Sequence, residues 1–314
     1  MTTDTVNSAS AAKSALDSPD GSQGVLSTKN RAWERFRRDR MAIFGTTILL
    51  ILSIGVLLGP TVYPVSYSEI DFARALASPS GQYPLGTNDL GQDQLARLLW
   101  GGRISIAVGI TAMLVSISLG TLIGTVAGFC GGIIDNALMR LTDLFLSLPQ
   151  LPLLLLIIYL FRDTMRQRMG PELGIFMLII LVVGGLTWMP TARLVRAGFL
   201  AAKEREFVQA AKSLGASPSR IVWRHILPNV IGPVIVAATL GVGNAIITES
   251  TLSFLGIGFP PDVPTWGRML FDAQNYIETD PHLVIFPGLA IFLTVLSVNY
   301  VGDGLRDALD VRSR

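Results

Sequence analysis

The chain is constrained most by six segments that are long, apolar and almost free of charged side chains. A helix needs about 20 mostly apolar residues to cross the roughly 30 Å of hydrocarbon in a bilayer. Only 15% of the residues are charged, against about 25% in an average soluble domain. Because lipid offers no partners to backbone amides, each segment must be helical, and no period-two alternation indicates strands. The predicted spans are Met41–Leu58, Ile104–Phe129, Ala137–Phe161, Leu173–Pro190, Val230–Thr248 and Leu283–Val301.

The distribution of basic residues predicts the orientation. With six spans, most of the Lys and Arg residues fall in segments assigned to the inside, including the basic run 31–40. Both termini are therefore expected to be cytoplasmic. An arginine cluster at 162–168 would lie outside, against the tendency of basic residues to lie on the cytoplasmic side. Five spans are therefore the alternative to six. The basic run could also bind nucleic acid, but a cluster beside a span is more typical of a topology anchor.

These boundaries divide the chain into a tail, a membrane domain and connecting loops. The tail is rich in Ser, Ala, Thr and Asp and lacks an apolar core, so disorder is expected and a signal peptide is not. The predicted divisions are a disordered cytoplasmic tail at 1–30, an amphipathic lead-in and first transmembrane helix at 31–60, an external loop at 61–103, a transmembrane domain at 104–303 with a cytoplasmic loop at 192–228, and a cytoplasmic C-terminus at 304–314.

One face of the second span is built from glycines, because Gly120, Gly124, Gly128 and Gly132 recur every four residues. On one helix they would form a smooth stripe that another backbone can approach closely. The stripe is interpreted as helix packing, with a sliding surface during a conformational change as the alternative.

The third span begins with charged residues and contains two prolines. Arg140 and Asp143 are three residues apart, so they can pair on one helix face near the inner surface, or extend separately to the membrane interface. A functional role for these charges inside the membrane is the alternative. Pro149 and Pro152 predict a kink further along the same span.

A polar insertion lies between the fourth and fifth spans, and its sequence predicts two helices joined by a turn. Residues 200–214 are good helix formers, and Gly215 suits the left-handed position just past a helix end. Ser217 and Pro218 suit the N-cap and first position of a second helix that runs to about Ile226.

The chain is then expected to turn back into the membrane at Leu227-Pro228. A helix-turn-helix unit could read DNA, but this one is flanked by spans and held against the bilayer. A plain amphipathic loop is the other alternative.

The same insertion resembles the cytoplasmic coupling loop of binding-protein-dependent ABC importers. That pattern is Glu-Ala-Ala, three residues, Gly, nine residues and Ile-x-Leu-Pro, and this chain departs from it at Gln209 and His225. In the family the loop docks into a groove of the ATPase subunit. The resemblance implies an ATPase-coupling set of Glu206, Gln209, Ala210, Ala211, Gly215, Ala216, Leu227 and Pro228.

Further stretches extend the resemblance over nearly the whole chain beyond the tail. Residues 83–103 resemble a stretch typical of the second permease of dipeptide, oligopeptide and nickel importers. Residues 249–258 and 264–267 look like the family's external loop, and 299–310 look like its C-terminus. The resemblance implies an all-α integral membrane fold, with six transmembrane helices of the type I ABC importer permease kind and a cytoplasmic coupling helix.

Partners and cofactors are likewise implied by the resemblance. They are a second homologous permease, two ABC ATPase subunits and an external substrate-binding protein, in a bacterial inner membrane and without nucleic acid. ATP and Mg would be bound by the ATPase subunits and no cofactor by this chain. The implied solutes are short peptides, although relatives of this kind also carry nickel chelates and glutathione.

The residues themselves supply no catalytic site. No Gly-x-x-x-x-Gly-Lys-Ser/Thr phosphate loop occurs, so the chain lacks this route to ATPase activity. One cysteine, Cys130, excludes an internal disulfide, and no metal-ligand spacing is present. Asn88, Asp89 and Asp93 lack the full calcium-loop spacing and suit turns and N-caps instead.

Two other function classes are alternatives to an importer subunit. A secondary transporter would favour an internal repeat and acidic residues in the middle of a span, and the sequence shows neither. A membrane enzyme acting on lipids would need a clustered acid–base or metal site at one interface, and no such cluster is recognisable in the sequence.

Overall fold

A computed structural model of the protein describes residues 33–309, and its regular structure is helical. Among these residues only an isolated bridge between Thr87 and Asp93 has β character. A helical segment at 33–38 comes first and stacks Trp33 on Phe36, with ring centroids 6.0 Å apart. The predicted tail at 1–30 and the end of the C-terminal segment lie outside the described residues. Ten helices follow: α1 Arg40–Val62, α2 Gln94–Cys130, α3 Gly132–Ser147, α4 Gln150–Met169, α5 Pro171–Gly185, α6 Met189–Lys203, α7 Glu206–Ser213, α8 Pro218–Phe254, α9 Trp266–Ala273 and α10 His282–Leu309.

Four of these helices, α1, α2, α8 and α10, are long and apolar enough to cross a membrane by themselves. Two bent pairs, α3 with α4 and α5 with α6, pass the same test together. The all-helical membrane fold is therefore confirmed, and the count reaches six when each bent pair is one crossing.

The third predicted span is wrong as a continuous helix, because α3 and α4 meet at 87°. Leu148 is extended, with φ −78° and ψ 139°, and Pro149 follows it. A residue before proline is pushed out of the helical region, and proline itself lacks an amide donor. The expected kink is thus a full change of direction.

The fourth predicted span also differs, since it bends by 42° between α5 and α6 and does not end at Pro190. Pro190 lies in the first turn of α6, where a missing amide costs no helical hydrogen bond. α6 then runs on to Lys203, so much of the predicted polar insertion extends a membrane helix.

Helix α2 is the centre of the bundle. It packs on α6 along one side and on α5 and α8 along others, and its 37 residues span about 55 Å. This length exceeds the hydrocarbon thickness, and α2 starts at Gln94, so the end of the predicted external loop 61–103 is helical. The main apolar core lies beside α2 and includes Val108, Ile175 and Ile179.

Candidate functional site

The segment between α6 and α8 forms a helix and a glycine turn, as its sequence predicts. Helix α7 is followed by Gly215 in the left-handed region, with φ +79°. The Gly215 amide donates to the Lys212 carbonyl and the Ala216 amide donates to the Ala211 carbonyl, both at 3.0 Å. This pair of hydrogen bonds is a Schellman motif, which satisfies the last carbonyls of the helix.

The second helix starts where predicted but continues further. Ser217 Oγ accepts from the Arg220 amide at 3.4 Å, and Pro218 takes the first helical position. The expected turn at Leu227-Pro228 is wrong, because α8 continues through it into the membrane. Pro228 removes one amide donor from the ladder, and the adjacent turn widens to a π-helix rather than reversing the chain.

The first helix is shorter than predicted, so a continuous helix over 200–214 is also wrong. α6 stops at Lys203, and Arg205 is extended with φ −74° and ψ 145° before α7 begins. Gln209 Nε2 donates to the Lys203 carbonyl at 3.0 Å. This carbonyl lies in the last turn of α6, where no helical amide is available to it. This local contact accompanies the interruption of a stretch with favourable helix propensity.

The predicted coupling residues are divided between the surface and the interior of this segment. Ala211 is buried, Ala216 and Leu227 are half-buried, and the exposed members are Glu206, Gln209, Ala210, Gly215 and Pro228. The motif comparison missed three large apolar side chains that are also exposed here, Phe207, Leu214 and Trp223. Leu214 is 88% exposed and Trp223 67%.

The buried side of the segment fixes it to the membrane helices. Val208 and Ile221 pack with Val195 and Phe199 of α6 in one apolar cluster. Beside it, a cleft of about 1,000 Å³ separates α6 and α8, and Glu206 and Phe207 of α7 lie on its wall. The segment is therefore packed onto the ends of α6 and α8, which adjoin the cleft.

Three of the four stripe glycines bring α2 against α6. A Cβ atom at Gly120 would lie 2.6 Å from Thr191 Cβ, and one at Gly128 would lie 2.6 Å from Phe199 Cβ. A Cβ atom at Gly124 would lie 2.5 Å from the carbonyl oxygen of Ala192. The packing interpretation is thus supported at these three positions, where the backbones nearly touch.

The fourth glycine does not belong to this stripe. α2 ends at Cys130, and Gly131 and Gly132 both have positive φ, +67° and +58°. A Cβ atom at Gly132 would meet nothing within 4 Å. Its expected packing role is wrong, because the two glycines form the joint that starts α3.

The charges of α3 pair with α6 rather than with each other. Asp143 forms an ion pair with Arg193, so the expected pairing with Arg140 is wrong. Asp135 forms a bidentate pair with Arg196, with Nη2 2.6 Å from Oδ2. Both arginines lie on α6, which sequence spacing could not place beside α3. α3 is therefore attached at two points to the helix that leads into α7.

At the opposite end of α2, the polar loop is capped as predicted. Asp93 Oδ1 accepts from the Ala96 amide at 2.7 Å as the N-cap of α2. Its other oxygen accepts from the Tyr63 hydroxyl at 2.7 Å, which ties the loop to the end of α1. Burial, and then this bond to Asp93, raise the pKa of the Tyr63 phenol above its usual range.

A buried arginine joins the same loop to α9. Arg97 is 1% exposed, and it donates to Gln92 Oε1 at 2.6 Å and to Asp272 Oδ2 at 3.3 Å. Arg268 pairs with the other oxygen of Asp272 at 2.8 Å. Burial raises the pKa of the Asp272 carboxyl, and the two arginines act in the opposite direction.

Glu249 was missed as a buried residue, because residues 249–258 were interpreted as an external loop. It lies in the last turns of α8 and is fully buried. Its carboxylate accepts from Ser253 at 2.8 Å and from Ser105 of α2 at 3.1 Å. An acidic residue therefore lies inside a long apolar helix, near its end, and links α8 to α2. Within residues 33–309 no group of three or more metal-ligating side chains is placed to hold an ion.

Known protein families match this chain over most of its length. A family described as binding-protein-dependent transport system inner membrane component matches residues 120–314. A second family, described as the N-terminal TM domain of oligopeptide transport permease C, matches residues 27–79.

Several named bacterial proteins are similar along almost their whole length. A dipeptide transport system permease protein of Alkalihalophilus pseudofirmus is 35% identical, over 94% of this chain and 94% of its own. An oligopeptide transport system permease protein of Haemophilus influenzae is 37% identical, over 90% and 88%. A glutathione transport system permease protein of Pectobacterium atrosepticum is 37% identical, over 88% and 89%.

The fold is similar to a chain of the inward-facing MetNI methionine ABC transporter. The TM-score is 0.53 at 19% identity, over 68% of this chain and 96% of that one. This likeness concerns the fold alone.

Proposed function

Because this chain belongs to the family of binding-protein-dependent transport system inner membrane components, we propose that it forms part of the path by which an ATP-driven importer carries short peptides or related small solutes. The chain is a multi-pass permease component of the bacterial inner membrane and not the ATPase. The names of its relatives, for dipeptide, oligopeptide and glutathione transport, support a peptide-like solute.

The proposed complex contains other chains. A second homologous permease would complete the path, two ABC ATPase subunits would bind ATP and Mg, and an external substrate-binding protein would deliver the solute. The description of the family, which names a binding protein, supports this arrangement. Both termini and loop 192–228 would be cytoplasmic, and most of loop 61–103 would face the binding protein.

The unit formed by α7, Gly215 and the start of α8 is the observation that carries the proposal. Its outer surface exposes the apolar side chains of Leu214 and Trp223, beside the exposed members of the predicted coupling set. Its inner surface packs on α6 and α8. An ATPase that bound the outer surface and moved would therefore displace the ends of two membrane helices and change the width of the cleft between them.

The Gly215→Val variant tests this role. Positive φ costs an L-residue about 1–2 kcal/mol, and more for a β-branched one, so the variant distorts the turn between α7 and α8. Gly170→Val is the control, since Gly170 also has positive φ and no atoms within 4 Å of a Cβ, but joins α4 to α5. With φ 87° and ψ 167°, its backbone is also costly for valine, so the control variant carries backbone strain away from α7. The measurement is solute uptake and ATP hydrolysis by the whole complex in proteoliposomes.

We expect Gly215→Val to lose at least about tenfold in solute moved per ATP hydrolysed, while Gly170→Val retains the wild-type ratio. Equal ratios in both variants would contradict the coupling role. The tagged chain should also co-purify from native membranes with a second permease and P-loop ATPases. Ion-driven uptake by this chain alone would refute the importer proposal.

A further inference from the structure

A second cavity, of about 600 Å³, lies within the membrane domain between α2, α6 and α8. Its volume falls in the range of small-molecule binding sites, roughly 300–1,000 Å³. It is distinct from the cleft beside α7, although Leu194 borders both. Its wall mixes apolar side chains with amides and hydroxyls, and none of the described residues that line it is charged.

Both broken helix pairs have their breaks at this cavity. Leu146 and Gln150 flank the 87° bend, and Leu186 and Thr187 lie in the 42° bend. Phe145 and Trp188 hold the two bends together, with ring centroids 6.2 Å apart. Interrupted backbone at membrane depth is tolerated where it is buried in protein or lines a water-filled space. Two interruptions at one cavity therefore indicate a place where polar backbone is used.

The polar side chains of the cavity have free hydrogen-bonding capacity. Gln150 and Asn244 are exposed, and their amides bond to no other described residue. The hydroxyls of Thr187 and Thr248 donate to carbonyls of their own helices, at 2.8 Å and 2.7 Å, which leaves their oxygens as acceptors. Ser116 Oγ is buried without a partner on the same wall.

The backbone adds an acceptor. The Leu186 carbonyl lies in the 42° break at the cavity wall, and none of the described amides or side chains donates to it. Amide side chains, hydroxyl oxygens and a free carbonyl match the donors and acceptors of a peptide backbone. Polar groups at this depth face water or protein rather than lipid, because lipid leaves them unpaired.

From this geometry we propose that the cavity is the solute site of this chain, where Gln150 and Asn244 bind the peptide backbone and the uncharged wall lets acidic and basic side chains pass alike. The proposal rests on the function proposed above. A charged wall would attract one sign of solute and repel the other. The adaptable Met113 and Met189 on the same wall suit side chains of varied shape.

The test places a charge at Asn244 after the protein has folded. Asn244→Cys is made in a Cys130→Ser background, because Cys130 is a free, exposed thiol. The complex in proteoliposomes is treated with cationic, anionic or neutral methanethiosulfonate reagents. Uptake of Lys-containing and Glu-containing tripeptides is then measured with saturating binding protein. Asn136→Cys, at an exposed position of α3 outside the cavity, is the matched control.

We expect the cationic reagent on the Asn244→Cys variant to lower the ratio of Lys-peptide to Glu-peptide uptake at least about fivefold, and the anionic reagent to raise it similarly. The neutral reagent and the Asn136→Cys control should leave the ratio unchanged. An unchanged ratio with intact uptake, an equal loss for both peptides, or a thiol that does not react would each overturn the proposal. Failure of the unmodified complex to import any peptide would instead refute the proposed function.

Discussion

The contact between α2 and α6 can be tested by adding a single methyl group. In Gly124→Ala the new Cβ atom would lie 2.5 Å from the Ala192 carbonyl oxygen and 2.7 Å from Val195 Cβ. Normal contacts are about 3.5–4 Å, so the two backbones must separate by up to about 1 Å. Overpacking of this kind costs about 1–3 kcal/mol, from which a helix-propensity gain of up to about 1 kcal/mol is subtracted.

Gly55→Ala is the matched control, because Gly55 lies inside α1 and its Cβ atom would meet nothing within 4 Å. Gly55→Ala gains the same helix propensity without the clash. The difference in unfolding free energy between the two variants therefore measures the α2–α6 contact alone. We expect Gly124→Ala to be less stable than Gly55→Ala by about 1–3 kcal/mol. The free energy of unfolding would be measured by SDS titration in mixed micelles. A difference below about 0.5 kcal/mol would refute close backbone packing at this position.

Two further predictions concern polar contacts of this fold. Tyr63→Phe should cost about 1 kcal/mol at neutral pH. The raised pKa of Tyr63 means that its neutral form is favoured in the folded state, so this contribution is present below about pH 10 and lost as pH rises further. Wild type should therefore lose its advantage over Tyr63→Phe in melting scans above that pH, and a constant advantage would contradict the assigned contact. Asp135→Asn should destabilise the chain more than Asp143→Asn, by roughly 1–2 kcal/mol, because only the first pair is substantially buried; equal SDS-titration midpoints would contradict this.

Sequence patterns predicted the features that depend on neighbouring residues. The apolar segments, the left-handed Gly215, the Ser217 cap and the Asp93 cap all follow from local chemistry, and the structure confirms them. Each of these depends on residues within a few positions of one another. Such patterns are readable because one helix turn contains all the interacting groups.

The errors arose where a distant residue decided the outcome. Asp143 meets Arg193 rather than its near neighbour Arg140 because α3 turns to lie against α6. Glu249 was assigned to an external loop by resemblance, whereas α8 runs on to Phe254 and buries it against Ser105 of α2. The prolines gave the position of the 87° bend but not its size, which depends on where the flanking helices pack. Hydrophobicity could not separate one continuous span from two helices at a right angle.

The solute cavity could not be predicted from sequence for the same reason. Gln150 and Asn244 are far apart in the chain and belong to no recognisable motif. They meet at one cavity only in the folded chain, where Gln150 follows the 87° bend and Asn244 lies on α8. A weak signal was present, since both are uncharged amides in or beside apolar stretches where hydrogen-bonding groups are costly without a purpose.

The glycine contact also has a mechanical consequence. α2 and α6 cannot separate without leaving a void or approach without a clash. Together they therefore form one rigid unit across the membrane domain. α7 packs at one end of this rigid unit, and the Asp93 cap and the buried Arg97 lie at the other end. If one end of a rigid unit tilts, the other end must tilt with it. In the proposed complex, events at its two ends would then be linked by the rigidity of this unit, with no relay of side chains between them.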